Sequence, residues 1–227
     1  MVKSSIINLK LFKSILQRLY PCGLFRADRD RLTANGRKPI VYLTFDDGPI
    51  PEVTPKVLAI LAKYNVKATF FMVGENIDKH PEVFGQVLKA GHSIGNHTYN
   101  HMKGWKFSTA EYIANVQKWE EAVKRNYPHG CLAPVLNRFR PPYGRTWLWQ
   151  RRAVQKMGYT IYLWDVLTRD YNKSRTPEAM LAQIKRETRP GSIINFHDSV
   201  KSNERMLAVL PQAIEWLQKE GYDLRAL

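Results

Sequence analysis

Short runs of β-branched and aromatic residues alternate with longer segments of helical period, and the alternation repeats about seven times. A strand followed by a helix, repeated, implies a parallel sheet with helices packed outside it. Strands are expected at Ile40–Phe45, Ala68–Val73, Ser93–Asn96, Arg138–Arg140, Tyr159–Trp164, Ser192–Phe196 and 222–226. Helices are expected over 52–64, 81–90, 109–126, 146–157, 177–188 and 204–219, with a loop over 127–137. Tyr112, Val116, Trp119 and Val123, for instance, recur at the spacing of one helix face. A chain of 227 residues fits a single α/β barrel. An open doubly wound sheet is the competing architecture. The polar residues favour the barrel, because Asp46, Asp47, His97, Arg140, Asp170 and His197 each fall at or just past the end of an expected strand. In a barrel those ends converge on one face, where catalytic groups collect.

Charge and cysteines narrow the field of functions. The net charge is +15, but residues 1–38 hold nine Lys or Arg against two acids and supply +7 of it. The body of the chain is therefore not expected to bind nucleic acid, and it lacks Cys/His finger spacing and an RNA-binding aromatic signature. Residues 6–20 form a basic amphipathic helical pattern, with Leu9, Phe12, Ile15, Leu16 and Leu19 on one face. We expect this extension, over 1–38, to pack on the end of a catalytic domain over 39–227. Peripheral contact with an anionic membrane is the second reading. Lys10 and Lys13 interrupt any signal-peptide core, and no apolar run is long enough to span a bilayer, so a cytoplasmic or membrane-peripheral location is expected. Cys22 and Cys131 read as free buried thiols, with a single disulfide as the second reading.

The chemistry concentrates in two motifs. Asp46 and Asp47 are adjacent carboxylates at a strand end, and such a pair repels unless a cation or a donor compensates it. Asp-Gly-Pro is also ordinary turn chemistry. His97 and His101 are four residues apart, which on a helical turn places both imidazoles on one side. Asp47 supplies a third ligand, leaving an open position on the metal. Two imidazoles and one carboxylate suit zinc best, with cobalt, iron or manganese as substitutes. Asp46 is then free to take a proton from a water, and His197 to give one to a leaving amine.

Thr44–Pro49, His97–His101, Arg138–Gly144 and Ile193–Asp198, in this order, resemble the motifs of the NodB-homology polysaccharide deacetylases, carbohydrate esterase family four. The resemblance runs from about residue 39 to 221. It implies a distorted (β/α) barrel, TIM-barrel-like, of about seven parallel strands, and hydrolysis of N- or O-acetyl groups on a polysaccharide or oligosaccharide. It implies Asp46 as base, Asp47, His97 and His101 as ligands to one divalent metal, and His197 as acid. Arg140 would orient Asp46, Asp170 would tune His197, and Tyr143 would line the cleft and help hold the oxyanion; Trp164 is a further candidate for the cleft wall. Three positions depart from the family pattern: Leu167 and Tyr171 replace an Asp and a Trp, and Asn195 replaces a Leu that faces the acetyl methyl. Asn195 is therefore expected to touch substrate and to change acyl preference. A small or lipid-linked amino sugar is the alternative substrate, and a non-catalytic carbohydrate-binding relative the alternative class.

Overall fold

The computed structural model describes residues 38–127 and 137–227. The basic extension, both cysteines and nearly all of the 127–137 loop lie outside the described residues. The described residues form eight strands: β1 Ile40–Asp46, β2 Thr69–Met72, β3 Ser93–Asn96, β4 Arg138–Phe139, β5 Thr160–Ile161, β6 Val166–Leu167, β7 Ile193–His197 and β8 Asp223–Arg225. The α-helices are α1 Thr54–Lys63, α2 Gly74–Lys79, α3 Pro81–Lys89, α4 Thr109–Asn126, α5 Leu148–Lys156, α6 Pro177–Glu187 and α7 Asn203–Lys219. The sheet runs β5-β4-β3-β2-β1-β7-β6, with every pair parallel. β8 pairs with the first half of β1, on the edge whose second half takes β2. No ladder joins β5 to β6 among the described residues, so the molecule is a distorted (β/α) barrel left open on that side.

β1 sits at the centre because its sequence, Ile-Val-Tyr-Leu-Thr-Phe-Asp, is buried throughout. Its alternation sorts residues by chemistry. Val41, Leu43 and Phe45 belong to the main core with α1, α3 and α7, and Phe45 stacks on Phe70 of β2 (5.0 Å) and Phe196 of β7 (5.7 Å). Thr44 and Asp46, on the opposite face, meet Asn195 and His197 across the β7 ladder. A second core around Tyr112, Val116, Phe139, Val154, Tyr159 and Ile161 seats α4 and α5 on the β4–β5 side. α4 starts with a Ser108–Glu111 capping box. α6 starts with Thr176 accepting from the Ala179 N–H and Pro177 at its first turn.

Two expectations need correcting. Tyr159–Trp164 is not strand throughout: only Thr160–Ile161 pairs with β4, and Val166–Leu167, beyond the expected range, forms a further strand against β7. Between them the chain passes from one ladder to the other: the Tyr162 N–H still bonds the Phe139 carbonyl of β4 and the Asp165 N–H bonds the Ile193 carbonyl of β7, while the Tyr162 and Leu163 carbonyls accept from the Arg140 side chain. No helix was expected between β2 and residue 81, yet the short helix α2 fills that stretch.

Trp119 of α4 is fully buried and donates its indole N–H to the Met72 carbonyl at 2.7 Å, whereas Trp149 of α5 is largely exposed. Trp119→Ala should lower unfolding free energy by about 3–5 kcal/mol in urea melts. Trp149→Ala should change it by less than about 0.5 kcal/mol.

Candidate active site

The ends of β1, β3, β4 and β7 and the loops that follow them surround an open cleft of about 990 Å³. Asp46, Asp47, His97, His101, Tyr143, Trp164 and His197 all line it. Asp46 ends β1 and is almost fully buried. Arg140, just past β4, donates from Nη1 to Asp46 Oδ1 at 2.7 Å. Burial alone would raise the Asp46 carboxyl, but the Arg140 guanidinium, with help from His97 and His197, outweighs it and holds the group below the ordinary carboxylate range. Asp46 is thus ionised at neutral pH.

Asp47 follows with φ at 86°, a left-handed conformation. Two bonds hold its backbone there: its N–H donates to the Phe71 carbonyl, and its carbonyl accepts from the Asn76 side chain at 2.8 Å. The turn is locked further by Asp198, which sequence reasoning left without a role. The buried Asp198 carboxylate accepts from the Gly48 N–H (3.0 Å) and the Thr54 hydroxyl (2.6 Å). A Cβ at Gly48 would stand 2.0 Å from an Asp198 oxygen, so only glycine lets the turn close on that carboxylate.

His97 and His101 do not lie on a helical turn as expected. They lie on a loop with Thr98 and His101 in the left-handed region, φ 65° and 55°. The first N–H groups of α2, from Gly74 and Glu75, bond the Thr98 and Tyr99 carbonyls, and the Thr98 hydroxyl accepts from the Met102 N–H. The loop brings the imidazoles together by this route, with ring centroids 5.1 Å apart. His97 Nδ1 meets the Arg140 carbonyl at 2.7 Å; with the proton on Nδ1, Nε2 is left free towards Asp47.

Asp47, His97 and His101 offer one ligand atom each within 4.8 Å of one another. Asp47 Oδ1 is buried with no hydrogen-bond partner, 3.8 Å and 3.4 Å from the two Nε2 atoms. Burial lowers both imidazoles to about 4, so they are neutral and able to ligate at neutral pH. The donor set therefore fits one divalent cation.

His197 is the opposite case. Its Nδ1 lies 2.8 Å from Oδ1 of the buried Asp170, and its backbone N–H donates to Asp170 Oδ2 at 2.7 Å. Burial works to lower it, but Asp170 prevails and lifts it to about 10, so His197 is the protonated imidazole of the site. Tyr171 stands edge-on to its ring at 5.0 Å.

Tyr143, at φ 60°, hangs over the cleft against His101 (4.7 Å) and Trp105 (5.4 Å). Gly144 beside it makes room for Trp164, whose ring would lie 2.6 Å from a Cβ there. Leu167 and Tyr171 also line the cleft, as do Arg169 and Lys201, which the sequence reading did not single out. Asn195 is not where it was expected. It is fully buried, is not among the residues lining the cleft, and bonds Asp46, Arg140 and Thr44 instead of facing a ligand. Its side chain is drawn inward because the β1–β7 register places these polar partners on the same face.

Comparison with known proteins bears on the family and the fold. The family profile described as polysaccharide deacetylase matches residues 33–162. A peptidoglycan-N-acetylglucosamine deacetylase of Bacillus cereus is 39% identical over 163 residues, 71% of this chain and 57% of that protein. A chitooligosaccharide deacetylase of Azorhizobium caulinodans is 35% identical over 212 residues, 87% of this chain and 96% of that protein. Among solved structures, the Bc1960 peptidoglycan N-acetylglucosamine deacetylase, in complex with a naphthalenyl N-oxidanyl-benzamide, superposes with a TM-score of 0.78 at 34% identity, covering 84% of this chain and 86% of that one. Profile, relatives and fold agree: this chain belongs to the polysaccharide deacetylase family.

Proposed function

We propose that the chain hydrolyses N-acetyl groups on N-acetylglucosamine units of a polysaccharide or oligosaccharide. The observation that carries this reading is that one cleft brings together Asp46 bonded by Arg140, His197 bonded by Asp170, and a three-ligand metal set. The relatives named above act on peptidoglycan and chitooligosaccharides, which supports a glycan as substrate.

Asp47, His97 and His101 would hold the metal, and their chemistry favours zinc. A divalent ion there supplies polarisation of the acyl oxygen and a lower pKa for water. Asp46 takes the proton of the attacking water, and Arg140 keeps the accepting carboxylate aimed at it. His197 gives its proton to the departing amine nitrogen, and Asp170 keeps that proton in place until then. Tyr143 closes one wall of the cleft, and its backbone N–H is a donor for the negative charge that develops on the acyl oxygen. Trp164, Leu167 and Tyr171 give the cleft the apolar and aromatic surface against which a sugar ring packs.

Chelator-stripped protein should bind about one equivalent of zinc, and acetate release from N-acetylglucosamine oligomers should return with it. Asp46→Asn should abolish release while keeping the zinc. Release that is insensitive to chelator, or an Asp46→Asn enzyme as active as the parent, would overturn the reading.

The His197–Asp170 pair also sets a pH limit. The acid works only while protonated, so activity falls as pH rises through the His197 pKa, and removing the Asp170 charge lowers that pKa. Asp170→Asn should move the alkaline limb of kcat/KM down by about 1 pH unit or more. The pair also stabilises the fold. This contribution is complete below the ordinary histidine value of 6.5 and is lost as pH rises through about 10. The stability gap between wild type and Asp170→Asn should therefore narrow in alkaline melts.

A further inference from the structure

We propose that Asn195 is a positioning residue for the base: its side-chain amide holds the Asp46 oxygen that Arg140 does not reach, and it makes no contact with substrate. The inference rests on the proposed role of Asp46. Asn195 lies on β7 directly across the ladder from Thr44, two residues before the Asp46–His197 pair. Strand alternation therefore puts Thr44, Asp46, Asn195 and His197 on one face.

The bonds there form a closed set. Asn195 Nδ2 donates to Asp46 Oδ2 at 3.0 Å. Asn195 Oδ1 accepts from Arg140 Nη1 at 2.7 Å and from the Thr44 hydroxyl at 3.1 Å. Arg140 Nη1 in turn donates to Asp46 Oδ1 at 2.7 Å. The amide has one possible orientation: a guanidinium only donates and an ionised carboxylate only accepts, so Oδ1 must face Arg140 and Nδ2 must face Asp46.

The consequence is mechanical. A carboxylate bonded through one oxygen still pivots about its Cβ–Cγ bond. Donors on both oxygens stop the pivot, and a base held within a narrow angle of its working geometry acts at full rate. One lone pair on each oxygen is used, which leaves Asp46 a free one where it meets the cleft. A hydrocarbon side chain at 195 would strip Asp46 Oδ2 of its donor and Arg140 of an acceptor, both in a buried place.

The test uses the full zinc-loaded chain. Wild type is first assayed for acetate release, so that failure of the deacetylase reading appears separately, as an inactive parent. Asn195→Leu should then lower kcat about ten- to a hundredfold, the rate equivalent of one charge-assisted hydrogen bond. KM should stay within about twofold, because no substrate contact is lost. Zinc content, a cooperative melt, and the relative kcat/KM for N-formyl, N-acetyl and N-propionyl substrates should all match wild type. Asn195→Asp keeps the acceptor for Arg140 and Thr44 but turns a second carboxylate on Asp46. It should show the same loss in kcat, and it stands in for the Leu variant should that one not fold. A change in acyl preference or in KM with kcat retained would make Asn195 a substrate contact and overturn the proposal. So would unchanged kcat in both variants, or a kcat loss that merely tracks lost zinc or lost folded protein.

Discussion

Arg140 has a fully buried guanidinium, and the site is assembled around it. Its Nε and Nη2 donate to the Tyr162 and Leu163 carbonyls, and Nη1 is shared among Thr44, Asp46 and Asn195. Phe71 covers one side at 4.0 Å and Trp164 stands further off at 5.8 Å. A buried ion pair gains little net stability, since desolvation consumes most of the Coulomb energy, but it tolerates few geometries. Arg140 ties the end of β1 to β7 and to the stretch between β5 and β6, where the barrel lacks a ladder. The open side is thus held by side-chain bonds to backbone carbonyls, and the groups holding it also aim the base.

Three histidines in one cleft have two different charge states, and neighbours decide which. Burial without a dominant carboxylate bond lowers His97 and His101 to about 4. His197 lies between them in exposure, but a carboxylate at hydrogen-bond distance reverses the outcome and lifts it to about 10. Pushing similar groups apart in this way is how acid and ligand roles coexist within one site at neutral pH. The separation depends on Asp170 being fully buried, where its charge is poorly screened.

The strand–helix alternation was legible because it is a local pattern of apolar residues, and most elements lie within a few residues of their expected limits. The site was legible for a related reason. Asp46, His97, Arg140, Asp170 and His197 are polar residues at or beyond the ends of apolar strands; the parallel fold brings Asp46, His97 and His197 to one cleft, with Arg140 bonded to Asp46 and Asp170 to His197. Long β1 and β7 were plain, while β5 was expected too long and β6, at Val166–Leu167, was missed. The passage from one ladder to the other at Tyr162–Asp165 depends on backbone bonds to Phe139 and Ile193 and on the Arg140 side chain, all distant in the chain. The His97–His101 pair was found on a mistaken premise: the spacing suits a helix, but two left-handed residues do the work instead. Asp198 stood beside His197 in the sequence with nothing local to show that Gly48 and Thr54, about 150 residues away, required it.

By itself, then, the sequence determined the parallel α/β architecture and the residue types at its strand ends, because period, turn chemistry and acid–base character are properties of short segments. The tertiary structure alone decided how those residues divide the work. It left the barrel open between β5 and β6, closed the Asp47 turn on Asp198, and brought Arg169 and Lys201 to the cleft wall. It also turned Asn195 away from the cleft onto Asp46. Each of these depends on strand register and long-range hydrogen bonds, and a β7 ladder shifted by a single residue would send Asn195 and His197 to the opposite face.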